Sequence, residues 1–167
     1  MALGLLILRL VVGLTMAAHG TQKLFGWFGG YGLQGTGGFL EQLGFFPGRR
    51  NALFAGLAEF GGGVLLALGF ATPLAATLII SVMFVATATV HLKNGFFNHA
   101  QGYEFPLTLA AVALSVAIIG AGPISVDGAL HLRDAGTVWG LGALLAGVIG
   151  GAIQLAGRRA PQPQKAG

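Results

Sequence analysis

The chain has 167 residues, of which 54% are hydrophobic and only 8% charged, against about 25% charged in a soluble globular domain. So few charges cannot cover a water-facing surface, and the absence of Cys excludes disulfide exchange, thiolate metal sites, iron–sulfur clusters and covalently attached c-type haem. The net charge of +4 comes from basic residues that flank apolar runs, where they set topology; no basic face for nucleic acid exists beyond those flanks.

Five apolar stretches approach the roughly 17 to 25 residues that cross a bilayer core, so the predicted fold is an all-α integral membrane bundle. The first runs from Ala2 to Ala18 and, lacking a basic segment before it, reads as a span and not as a cleaved leader. Arg9 lies inside it. An ionisable group at mid-bilayer costs roughly 2.5 to 3.5 kcal/mol on insertion scales, so Arg9 requires a partner. Thr15, His19 and Lys23 follow at i, i+4 spacing.

The long first loop, 19–51, is rich in Gly and aromatic residues. It contains a literal G-x-G-x-x-G at Gly30, Gly32 and Gly35, but without the flanking strand and the acidic residue of a βαβ unit this is no dinucleotide fingerprint. Around Gly38 to Gly44 the spacing of Phe39, Leu40 and Leu43 predicts a short interfacial or re-entrant helix. Ten of the sixteen aromatic residues lie in this loop and in the loop from His91 to Glu104, Trp27 among them. They read either as an interfacial belt or as a wall for a flat apolar ligand such as a quinone.

The second span, Ala52 to Ala71, carries Glu59 on a face of small residues with Ala52, Ala55, Gly56, Gly62 and Gly63, so Glu59 points into the bundle. Counting about 1.5 Å of depth per residue, Arg9 and Glu59 differ by roughly 7 Å along the membrane normal, and a structural ion pair between them is expected. Such a pair either fixes helix register or makes Glu59 part of a proton path or ligand site. Thr72 and Pro73 then open the third span, Leu74 to Val90, in a tight hairpin with the second.

Thr77, Ser81 and His91 lie along a polar stripe of that third span. His91 and His19 are expected at similar depth, with Glu104 nearby at the start of the fourth span, Phe105 to Ala121. A cluster of His, Lys and carboxylate can relay protons to a quinone and, as a less favoured reading, ligate haem; no closely spaced ligand pair marks a metal site. The fifth span, Val138 to Ala156, carries Ala143, Gly147 and Gly151 every fourth residue, a pattern for helix contact within the bundle or between protomers. Residues 158–167 read as a disordered tail.

With five spans, Lys23, Arg49, Arg50, Lys93, Arg158, Arg159 and Lys165 share one side and only Arg133 lies on the other. The expected topology therefore has the N-terminus outside and the C-terminus cytoplasmic.

The ordered segments HGTQKLFGWFGGYGLQGT, AEFGGGVLLALGFATPLAA, HLKNGFF, GYEFPL and GPISVD, spread from about Leu3 to Asp127, resemble the DoxX family. The resemblance implies a four-helix membrane core, here 1–135, with the span in 136–157 as an extension. It also implies kinship with the small membrane subunit of an archaeal thiosulfate:quinone oxidoreductase and with bacterial proteins of oxidative and quinone stress. On that analogy His19, Lys23, Glu59, His91 and Glu104 are the ligand-binding positions, with Trp27 of the aromatic loop beside them and Glu59, His19 and His91 as candidate catalytic groups. Absence of Cys argues against covalent handling of sulfur by this chain.

The expected function is a redox-associated bacterial inner-membrane protein, possessing or lacking catalysis of its own, that binds a quinone or similar amphipathic ligand at the cytoplasmic interface and works with a soluble redox partner. The alternatives from other classes are a non-catalytic scaffold that recruits soluble enzymes through Arg49 and Arg50, and a small transporter. Homo-oligomerisation is compatible with each.

Overall fold

A computed structural model describes residues 1–132 and 134–159. These residues form helices and, among them, no strand. The long helices are α1 (Ala2–Phe25), α3 (Gly48–Leu68), α4 (Thr72–Ala86), α5 (Glu104–Ile119) and α7 (Thr137–Ala156), with α2 (Gly32–Gln42) in the first loop and a single turn, α6 (Val126–Ala129), between α5 and α7. A π turn, Thr87–His91, and a 3-10 turn, Leu92–Asn94, prolong α4, giving one apolar helical run over Thr72–Asn94.

Four of these runs are long and apolar enough to cross a bilayer: Ala2–Phe25, Gly48–Leu68, Thr72–Asn94 and Thr137–Ala156. The fourth predicted span, α5, has 16 residues, about 24 Å at 1.5 Å per residue, and so falls short of a 30 Å core by itself.

Element boundaries differ from expectation where glycine acts through packing. The first span is expected to end at Ala18, yet α1 continues through Gly20, which faces the Phe60 backbone where any side chain would clash. The helix stops at Gly26, which adopts φ 75° and donates its amide to Gln22 O at 3.2 Å. His19 and Lys23 therefore stand on a helix and not in a loop. The short helix expected around Gly38 to Gly44 begins earlier, at Gly32.

The most extensive helix contact is between α1 and α3. A Cβ on Gly13 would lie 2.6 Å from both Ala67 N and Gly63 O, so the two backbones touch. Side chains of five helices then interlock in one core, including Met16 of α1, Leu66 of α3, Ile79 and Met83 of α4, Ala113 and Val116 of α5, and Ala143 of α7. The inward face of α7 consists of Gly140, Ala143, Gly147 and Gly151, and a Cβ on Gly147 would meet Ile80 at 2.8 Å. The small-residue pattern thus serves contact with α4 inside the bundle.

The outward face of α7 carries Leu141, Leu145, Ile149 and Ile153, all more than half exposed, and α1 shows a similar stripe of Leu3, Ile7, Val11 and Leu14. Stripes of this kind, uncovered by protein, are what acyl chains cover.

Both connections of α1 to α3 and of α4 to α5 lie at one end of the bundle, together with the end of α7. Arg159 N donates to Gly44 O at 2.8 Å, Arg158 Nε donates to Leu43 O at 2.8 Å, and Gln154 Nε2 donates to Asn51 Oδ1 at 2.6 Å. Of the tail predicted from residue 158, Arg158 and Arg159 are thus bonded to the first loop, and residues 160–167 lie outside the described residues, as does Arg133.

Candidate functional site

Glu59 sits on α3 between Gly56 and Gly63, two glycines of α3 that α1 packs against. Its partner is Lys23 and not Arg9: Lys23 Nζ donates to both carboxylate oxygens, at 2.7 and 2.5 Å. The Glu59 side chain is 4% exposed and that of Lys23 28%, so the carboxylate is sequestered while the ammonium reaches it from the rim. Lys23 approaches across Gly56, where a Cβ would crowd Leu24 at 2.8 Å and Lys23 Cβ at 3.4 Å. A small residue at 56 is therefore what lets the last turn of α1 lie flat on α3.

The expected Arg9–Glu59 pair is not formed, because the two residues serve opposite ends of the molecule. Arg9 is completely buried, packs against Gly69 at the end of α3, and donates from Nη2 to Ile124 O at 2.5 Å. Its Nε and Nη1 have no hydrogen-bond partner among the described residues. Asp127 of α6, also buried, lies within Coulombic range of Arg9. The Asp127 carboxylate accepts from Ala71 N at 2.8 Å, Thr72 N at 3.1 Å and Thr72 Oγ1 at 2.6 Å. Arg9 and Asp127 together tie the loop after α5 to the hairpin between α3 and α4.

His19 lies one turn before Lys23 on α1 and is half-buried. Its Nδ1 is 3.0 Å from Gln22 Oε1, and its ring meets Phe105 of α5 edge-on, with centroids 6.0 Å apart. With the Gln22 amide so oriented, Nδ1 is the donor and Nε2 is left as the acceptor. Gln22 in turn donates to Phe28 O at 3.2 Å, which couples the histidine to the aromatic turn Trp27–Gly29. Gln22 is absent from the residues singled out by sequence, although a Gln at i+3 from a His on one helix face is a readable pairing.

Trp27 packs on Phe25, with centroids 5.2 Å apart, and is 58% exposed; Phe28 and Tyr31 are more exposed still. These rings are displayed at the rim of the bundle and do not wall the Lys23–Glu59 pair. His91 and Glu104 organise the connection from α4 to α5: His91 Nδ1 contacts Gln101 O at 2.8 Å, and Glu104 Oε2 accepts from Asn98 N at 2.8 Å. Thr15 and Thr77 spend their hydroxyls on carbonyls one turn back, Val11 O and Pro73 O. Among the described residues no three His, Asp or Glu side chains converge as a metal set.

The cluster assembled from the sequence candidates is therefore His19, Lys23 and Glu59, near the loop-rich end. It offers an acceptor nitrogen, an ammonium and a buried carboxylate within two turns of α1, a set suited to hydrogen-bonding a carbonyl oxygen and moving protons.

The family model described as DoxX matches residues 4–92, just over half of the chain. A Bacillus subtilis (strain 168) protein named Putative oxidoreductase CatD is 30% identical over 125 residues, covering 75% of this chain and 85% of that protein. No solved structure matches. With its membrane-length apolar helices, the chain belongs to the DoxX family and is a multi-pass membrane protein.

Proposed function

We propose that this protein is a redox-associated component of the bacterial inner membrane that binds a quinone or a similar amphipathic ring at the His19, Lys23, Glu59 cluster and works with a partner enzyme that supplies electrons. The loop-rich, basic end faces the cytoplasm in this reading and the N-terminus faces outward. The observation that carries the proposal is the Lys23–Glu59 pair, a carboxylate 4% exposed and held by two short bonds within a membrane bundle. Ionisable groups at such depth are costly and by default mark a ligand or proton pathway. The oxidoreductase name of the Bacillus subtilis relative points the same way.

In this scheme a ring carbonyl displaces part of the Lys23–Glu59 contact and accepts a hydrogen bond from the ammonium. His19 Nε2 and Glu59 pass protons as the partner delivers electrons, Phe105 contacts the ring edge, and Trp27 stands at the rim one turn beyond Lys23.

The chain contains two tryptophans, Trp27 beside this cluster and Trp139 near the start of α7 at the opposite end, so Trp139→Phe leaves one fluorophore at the site. Titrating menaquinone into this variant in detergent is expected to quench Trp27 saturably. Lys23→Met and Glu59→Gln, made in the same background, should each weaken binding about tenfold, the loss of one charge-assisted hydrogen bond. Quenching that rises linearly with quinone, or that is the same in all three proteins, would refute the site.

A further inference from the structure

On the other side of α3 from the Lys23 contact lies an open cleft of about 180 Å³, lined by residues of α2, α3, α4 and α7 and by Phe45. Its walls are mostly apolar, with Phe45, Phe54, Val82 and Val85 prominent, and Ser81 Oγ and the Asn51–Gln154 pair supply the polar atoms. A cavity of about 150 Å³ accepts a benzene-sized apolar group, so this cleft admits a short run of methylenes. Gly150 keeps it open: a Cβ there would meet only Ser81 Oγ, at 3.4 Å.

The rim is basic. Arg158 stacks its guanidinium 5.5 Å above the ring of Phe45, a lining residue, and commits Nε to Leu43 O. Its two Nη groups have no partner among the described residues, and the residue is exposed. Arg50, also exposed, stands one turn before Phe54 on the same face of α3, and Arg159 is fixed beside Gly44 through its backbone. An apolar slot between membrane helices with arginines at its mouth matches the two parts of one kind of molecule. The acyl chain fits the slot and the phosphate fits the guanidinium fork.

We propose that this cleft is a binding site for an anionic phospholipid, held by Arg158 and Arg50 at the phosphate and by the gap between α3, α4 and α7 at the chain. The site depends on α7, which lies beyond the residues matched by the family model and so gives the C-terminal helix a role of its own. It uses none of His19, Lys23 or Glu59 and stands independently of the quinone reading.

Native mass spectrometry of the intact purified protein, titrated with dioleoylphosphatidylglycerol or dioleoylphosphatidylcholine, tests it. The anionic lipid should bind roughly tenfold more tightly, as expected for two arginines near a phosphate. In Arg50→Gln/Arg158→Gln, whose changes are confined to exposed side chains, the preference should vanish while weak binding of both lipids remains. Gly150→Leu, which fills the slot, should lower binding of both lipids and leave Trp27 quenching by menaquinone unchanged. Equal affinity for the two lipids, a preference that survives the double arginine variant, or displacement of bound phosphatidylglycerol by equimolar menaquinone would each overturn the assignment.

Discussion

Arg9 and Asp127 are buried ionisable groups at one end of the bundle, and a buried charge is costly without an opposite one nearby. Asp127 spends its carboxylate on three donors at the start of α4, while Arg9 has a single carbonyl partner and Asp127 as an opposite charge in its surroundings. Asp127→Asn keeps the shape but removes the counter-charge, and its amide group meets a donor where an acceptor is needed. A loss of about 2–4 kcal/mol is expected, measured by denaturant unfolding in detergent. The double variant Arg9→Met/Asp127→Asn should lose less than the two single losses added together, because removing the stranded guanidinium relieves the cost of the first change. Strict additivity would show that the two residues do not interact. Arg9 and Glu59 are legible in the sequence as charges inside apolar runs. Their partners are not: pairing depends on rotation about each helix axis and on where loops return, and Arg9 finds Ile124 across 115 residues of chain. Lys23 becomes available to Glu59 only because α1 runs past Ala18, a consequence of Gly20 acting as a contact and not as a stop.

The helices α3 and α4 have Pro47 and Ala71 at their N-cap positions, neither of which offers a side chain to the free amides of the first turn. Carboxylates from other elements supply the missing caps. Glu41 at the end of α2 accepts from Gly48 N at 2.8 Å, and Asp127 of α6 accepts from Ala71 and Thr72. Both favour the positive end of a helix dipole, and both bind a short helix to a long one. A helix start without a local cap is a sequence signal that a remote acceptor exists, but it does not name it. The apolar runs, by contrast, disclose the five long helices directly, since each needs only composition. Glycine spacing also identifies the inward face of α7, yet it leaves open which helix that face meets. In α1 and α3 the glycines have opposite roles that spacing alone does not separate. Gly13→Leu places atoms where the Ala67 and Gly63 backbones already are, so it should abolish folded protein in detergent size-exclusion chromatography. A methyl group on Gly61 would have no neighbour within 4 Å, and Gly61→Ala should raise stability by up to about 1 kcal/mol through helix propensity. A Gly13→Leu protein that elutes and melts like the parent would disprove the tight α1–α3 seam.

At the scale of the whole molecule, the two ends differ in kind. One end is closed by a compact lock of Arg9, Asp127 and the α3–α4 hairpin; the other carries the long loops, the exposed aromatics, the arginines at 49, 50, 158 and 159, and both proposed sites. Such asymmetry suits a protein whose partner and ligands meet it at one membrane surface. Because excess Lys and Arg is retained on the cytoplasmic side during insertion, the loop-rich end should face inward. The chain has no native Cys, which makes single-cysteine labelling clean. His99→Cys in the exposed loop between α4 and α5 and Leu130→Cys beyond α6, 57% exposed, report the two ends. A membrane-impermeant maleimide should label Leu130→Cys in cells with a permeabilised outer barrier but label His99→Cys only after the inner membrane is opened. The reverse pattern would place the His19, Lys23, Glu59 cluster on the outer surface. It would also remove soluble cytoplasmic enzymes as its electron source, because a partner there could no longer reach the end of the bundle where the cluster lies.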